Sequence, residues 1–149
     1  MVTEIPKPLV IFEMANNHMG DPSHAIRILA AFREVADGFR DVFDFGFKLQ
    51  YRDLDTFIHP DFQTRTDIKY IKRFQETRLT EQEFQALRAA IGDHGFIPVC
   101  TPFDERSVDR VEAHGFSVLK VASCSLGDWP LMERIAASAL PVIASTAGA

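Results

Sequence analysis

Apolar positions gather into five short runs: "PLVIFEMA" (8–15), "VFDFGFKLQ" (42–50), "FIPVC" (96–100), "FSVLKVAS" (116–123) and "PVIAST" (141–146). Most are apolar on successive residues rather than alternate ones, the pattern of strands buried on both faces. Between the runs the spacing becomes helical. Asp21-Pro22-Ser23 precedes "HAIRILAAFREVA", with Pro22 in a first turn where its missing N–H costs nothing. Thr80 and Glu83 form a capping-box pattern ahead of "FQALRAAIGDHG", and Gly95 suits the stop of that helix. Asp104 leads "ERSVDRVEAHG", and Pro130 opens "LMERIAASAL". Residues 51–79 are too long for a plain connection. Their first part, "YRDLDTFIHPDFQTRT", reads as an ordered excursion or lid, and "DIKYIKRF" has helical periodicity.

Strand alternating with helix predicts an α/β fold with a parallel sheet and right-handed crossovers. Five strands and four βα units fit either a doubly wound sheet or rather more than half of a (β/α)8 TIM-type barrel, which usually needs about 250 residues. No GxGxxG follows the first run and no GxxxxGK[ST] occurs, which weakens a nucleotide-binding doubly wound sheet.

Composition narrows the classes of partner. The chain has 149 residues, 46% hydrophobic and 25% charged, which matches one soluble globular domain. A net charge of −5 gives no sign of a sequence-independent grip on nucleic acid, and none is expected. The basic residues Lys69, Lys72, Arg73 and Arg78 are mixed with acids and read as a solvated helix face. No apolar run reaches the roughly 18–20 residues of a membrane span. The start "MVTEIPKPLVIF" also lacks a signal-type segment, so a cytoplasmic location without membrane contact is expected. Cys100 and Cys124 have no metal-ligand spacing and are expected to be buried, reduced thiols.

In both parallel architectures chemistry collects at the carboxyl ends of the strands. Those ends carry Glu13 followed by Asn16, Asn17 and His18; Lys48 and Gln50; Thr101; Lys120 and Ser123; and Ser145 with Thr146. Lys48 and Lys120 lie inside apolar runs, where an ammonium loses hydration unless an anion meets it. A structural ion pair with Glu13 or Asp104, or a stem reaching to the surface, would satisfy one lysine. Two such lysines on neighbouring strands, among the hydroxyls of Thr101, Ser123 and Ser145, point to a bound phosphate or carboxylate. Glu13 can neutralise a lysine, act as acid or base, or hold a metal or its water. His18 is either a surface residue or a substrate contact. His94 and His114 each precede a helix-stop glycine and are expected to cap helices at the surface.

The same residues resemble the motifs of the sialic acid synthase family, which condenses phosphoenolpyruvate with amino sugars. "IFEMANNHMGD" is similar to its "AE(I/M)xxNHxGD" strand-one signature, and "FGFKLQ", "VCTPFD", "LKVASCS" and "PVIASTAGA" to its next four strand motifs, in order. The resemblance implies a (β/α)8 barrel, of which residues 1–149 are the N-terminal portion, inactive alone, with further strands and a C-terminal antifreeze-like domain expected beyond it. It implies an N-acetylneuraminate synthase-like transferase that joins phosphoenolpyruvate to an N-acylated amino sugar such as N-acetylmannosamine, using Mn²⁺ or Mg²⁺, as a homodimer in full-length form. By position, Lys48, Thr101, Lys120, Ser123 and Ser145 would hold phosphoenolpyruvate. Gln50 would line the same site, Glu13 would act in catalysis, and Asn17 and His18 would occupy the family's Asn-His pair. Metal ligands would come from histidines beyond Ala149. Where the family commonly has a carboxylate that helps bind the amino sugar, this chain has Ser125, which leaves open a polysaccharide-biosynthesis homologue with another acceptor, or an anion-binding barrel without turnover.

Overall fold

The computed structural model describes residues 7–147. Its strands are β1 (Leu9–Glu13), β2 (Asp44–Tyr51), β3 (Ile97–Pro102), β4 (Val118–Val121) and β5 (Val142–Ala144). All pair in parallel, in the order β1-β2-β3-β4-β5. That order decides between the two architectures. A doubly wound sheet reverses its winding at a switch point, whereas barrel staves follow one another in sequence. These are five consecutive staves of a (β/α)8-type wall.

The helices are α1 (Pro22–Ala36), α2 (Leu54–Phe57), α3 (Lys69–Glu76), α4 (Glu81–Asp93), α5 (Glu105–Ala113) and α6 (Trp129–Ala136). Side chains alternate across a strand. One set, with Phe45, Phe47, Leu49, Cys100, Leu119 and Val121, joins a buried core with Leu29 of α1, Leu87 and Ile91 of α4, Val108 and Val111 of α5, and Leu131 and Ile135 of α6. Phe12 stands at the centre of an aromatic group, 4.7 Å from the Phe32 ring and 5.6–5.9 Å from those of Phe45, Phe47 and Phe96. The alternate set, Lys48, Gln50, Thr101 and Lys120, falls on the other, concave face.

Helix starts carry the chemistry read from the sequence. Asp21 accepts from Ser23 N–H, Asp104 from Ser107 N–H, and Thr80 and Glu83 close a reciprocal capping box. The last helix begins one residue before Pro130, with Asp128 accepting from Leu131 N–H. The excursion after β2 is ordered: α2, a tight turn at Pro60–Phe62, then α3. Among the described residues no helix is long and apolar enough to cross a membrane.

Two expectations are corrected. Cys100 is buried but Cys124 is exposed, because the chain leaves β4 into a tight turn at Ser123–Ser125 and turns that thiol outward. His94 caps α4, its Nδ1 2.7 Å from Ala90 O, but the side chain of His114 is 2% exposed rather than at the surface. Its Nδ1 lies 2.9 Å from the Tyr51 hydroxyl and its Nε2 2.6 Å from Glu81, so it pins β2 to α4 behind the sheet.

Candidate active site at the carboxyl ends of the strands

Register brings Glu13 directly opposite Lys48. Their side chains form an ion pair, and Lys48 Nζ also lies 3.3 Å from Thr101 Oγ1 on β3. Of the two partners weighed for the lysines, Glu13 is the one in contact. Asp104 is taken up by the α5 cap and by Asp53 N–H, 2.8 Å from its Oδ2. The second oxygen of Glu13 accepts from Ala15 N–H at 2.9 Å.

Among the described residues Lys120 has no such carboxylate in contact. Its Nζ donates to Val121 O at 2.7 Å and to Ser145 Oγ at 2.9 Å. Burial, and then the charge of Lys48, hold its pKa below the ordinary lysine value against the opposing pull of Glu13. Among the described residues, two ammonium groups therefore stand on the concave wall with one carboxylate in contact, that of Glu13 on Lys48, and two hydroxyls stand beside them. Such a site gains most from a bound anion.

The β1–α1 loop is held under strain. Ala15 (φ 47°) and Met19 (φ 54°) adopt the left-handed conformation, as does Gly20 (φ 74°). Position 20 favours glycine, because its φ is left-handed and a Cβ there would crowd Glu76 O at 3.0 Å, at the end of α3. Asn16 Nδ2 donates to Thr77 Oγ1 at 2.6 Å, which fastens the loop to the excursion. Left-handed non-glycine residues cost of order 1–3 kcal/mol each and collect at functional sites. His18 is buried and its Nδ1 accepts from Gly20 N–H at 3.1 Å, which assigns the ring proton to Nε2. Burial, and then the nearby His24, lower its pKa.

Not every predicted residue converges. Lys48, Thr101 and Glu13 form one contact set, and Lys120 with Ser145 another. Gln50 is half-buried, with its Oε1 accepting from Arg52 at 2.9 Å. Asn17 is exposed. Ser123 is exposed in the turn after β4, and no side-chain hydrogen bond joins it to either lysine among the described residues.

Two cavities open beside the wall. One, about 430 Å³, is bordered by Asn16, His18, Gln50, Arg52, Phe74 and Thr77 among others. Its neighbour, about 810 Å³, shares Asn16, Gln50, Arg52, Phe74 and Thr77, and adds Lys69, Lys72 and Arg73. Lys48, Lys120 and Ser145 lie outside both, on the open concave wall. Arg52 was not singled out from the sequence, although the alternation Lys48, Gln50, Arg52 continues the polar side of β2 past its last residue. Among the described residues, no group of three or more His, Cys, Asp or Glu is placed to hold a metal ion, so these side chains do not fit a metal centre by themselves.

A model of the NeuB family matches residues 46–149. The chain is similar to a Chromobacterium violaceum structure described as spore coat polysaccharide biosynthesis protein E, at 60% identity and a TM-score of 0.91, over 95% of this chain and 42% of that one. The N-acetylneuraminic acid (sialic acid) synthetase of Leptospira borgpetersenii serovar Hardjo-bovis, crystallised with citrate, shares the fold at 24% identity and a TM-score of 0.77, over 100% of this chain and 50% of that one. An uncharacterized Methanocaldococcus jannaschii protein is 33% identical over 78 residues, 52% of this chain and 23% of its own length. The chain thus spans half or less of the length of the relatives it matches.

Proposed function

Because the chain belongs to the NeuB family of synthase-like enzymes, we propose that the whole protein joins phosphoenolpyruvate to the aldehyde of an N-acylated amino sugar, giving a sialic-type keto acid and phosphate. The observation that carries this reading is the pair of lysines on the concave wall, Lys48 paired with Glu13 and Lys120 held only by neutral oxygens of Val121 and Ser145. A small polyanion with a phosphate at one end and a carboxylate at the other complements two ammonium groups and the hydroxyls of Thr101 and Ser145.

In this reading Lys48, Thr101, Lys120 and Ser145 hold phosphoenolpyruvate, and Gln50, Ser123, Asn17 and His18 line its surroundings. C3 of phosphoenolpyruvate forms the new bond to the aldehyde carbon, whose oxygen takes up a proton. Water then adds at C2, and the C2–O bond to phosphate breaks, with the electron pair leaving on phosphate. The lysines stabilise negative charge throughout. Glu13, held between Lys48 and Ala15 N–H, is positioned to take the proton from the attacking water.

A polysaccharide-biosynthesis enzyme with a different acceptor is a second reading, favoured by the 60% identity to the Chromobacterium protein and by Ser125 where the family motif commonly has an acid. The test is phosphate release from phosphoenolpyruvate by the full-length protein with Mn²⁺ and a panel of N-acyl hexosamines in ¹⁸O-labelled water. Unlabelled phosphate, released only when an aldehyde is present, is expected. Label in the phosphate would overturn C–O cleavage. Phosphoenolpyruvate binding without release for any sugar would leave an anion-binding barrel.

A further inference from the structure

The reaction chemistry above makes no use of Arg52, yet its setting is unusual. The guanidinium carbon lies 4.4 Å from the centroid of Phe74 and 3.8 Å from that of Phe103, so aromatic rings flank it. One terminal nitrogen donates to Gln50, and Nε is buried without a hydrogen-bond partner. Among the described residues no carboxylate comes within 4.0 Å of it, whereas Arg78 and Arg110 in the same cavity wall pair with Asp55 and with Asp53 and Glu81. Burial holds its pKa down to about 10, although Asp104 and Glu13 act on it through space.

A half-buried cation with no carboxylate in contact has lost part of its hydration, and ring stacking offsets only part of that cost. The remaining donors suit an oxyanion, which a guanidinium fork binds through paired N–H bonds. Arg52 borders both cavities, and the larger one is rimmed by Lys69, Lys72 and Arg73 against one acid, Glu76. That net positive rim, next to Arg52, favours an anionic guest nearby. The cavity of about 430 Å³ falls in the range that holds small ligands.

We infer that this cavity is the subsite for an oxyanion carried by the second substrate, a carboxylate or phosphate on the sugar, and that Arg52 selects for it. The inference rests on the synthase reading above and names the acceptor class that reading leaves open. Asn16 and Thr77, joined across the cavity wall, are polar side chains at hand for the sugar's hydroxyls.

The test uses the full-length protein and three probes: N-acetylmannosamine, its 6-phosphate and the corresponding uronic acid. Calorimetry should show one charged sugar binding at least about tenfold tighter than the neutral one, and which charged sugar wins tells phosphate from carboxylate. Arg52→Met should lower that charged-to-neutral ratio by about tenfold or more and leave phosphoenolpyruvate affinity unchanged, while Arg52→Lys keeps part of the preference. Wild type without a preference, or Arg52→Met with the preference intact, overturns the inference. Should Arg52→Met fail to fold by circular dichroism, the wild-type ratio and Arg52→Lys decide it. Charged-sugar binding that depends on Arg52, in a protein that does not bind phosphoenolpyruvate, sinks the synthase reading and leaves this subsite standing. Phosphoenolpyruvate binding with no charged-sugar preference sinks this inference alone.

Discussion

Lys120 Nζ and Ser145 Oγ lie 2.9 Å apart, joining the ends of β4 and β5 on the concave wall. If that contact prepares an anion site, removing the lysine must cost more than removing the hydroxyl. Lys120→Ala is expected to weaken phosphoenolpyruvate binding by roughly 10- to 100-fold and Ser145→Ala by roughly 2- to 10-fold, following charged and neutral hydrogen bonds respectively. Calorimetric titration of both variants checks the order. Equal affinity of Lys120→Ala and wild type would remove the lysine from the site.

Glu13 separates binding from turnover. Glu13→Gln keeps a similar shape but leaves Lys48 without its carboxylate partner, so phosphoenolpyruvate binding should be retained or tightened. Turnover should fall by roughly 10²- to 10⁴-fold, the scale of a lost general base. Parallel loss of both would instead make Glu13 a structural partner of Lys48.

The buried His18 predicts a pH dependence of stability. Its folded pKa lies below the ordinary value of 6.5, so the unfolded chain binds the proton more readily than the folded one. Stability from this residue is complete above about pH 6.5 and declines as pH falls below that value. Urea denaturation between pH 5 and 8 should show the decline, and His18→Asn should flatten it. An unchanged slope would place the titration elsewhere.

Behind the sheet, Tyr51→Phe should destabilise the fold by about 1–3 kcal/mol, because it leaves the buried Nδ1 of His114 without its partner. Thr80→Ala should cost about 0.5–2 kcal/mol through the broken capping box of α4. Both are read from denaturant midpoints at constant m-value. Neither should alter phosphoenolpyruvate affinity, since both residues lie away from the concave wall.

Much of this arrangement was legible in the sequence because it is local. The apolar runs marked the strands, and Asp21, Thr80 and Asp104 marked the helix starts within a residue. Lys48 and Lys120 stood out because lysine in an apolar run needs an explanation. What stayed hidden depends on distant contacts. His114 looks like a surface cap until β2 brings Tyr51 to it, across 63 positions. Ser123 looks like a neighbour of Lys120 until the turn after β4 exposes it. Alternation with Lys48 and Gln50 could place Arg52 on the polar side of β2, but its rings come from Phe74 and Phe103, and nothing in "YRDLD" announces either.

The clasp between the β1–α1 loop and the end of α3 has a consequence for how such a protein can diversify. The lysines stand on strands whose register fixes them, while Phe74 and Thr77 belong to a single inserted segment moored at Asn16 and Gly20. On the synthase reading proposed above, replacing that segment with the mooring kept would exchange one acceptor for another and leave the lysine-bearing wall as it was. The wall and the insert can be inherited as separable modules.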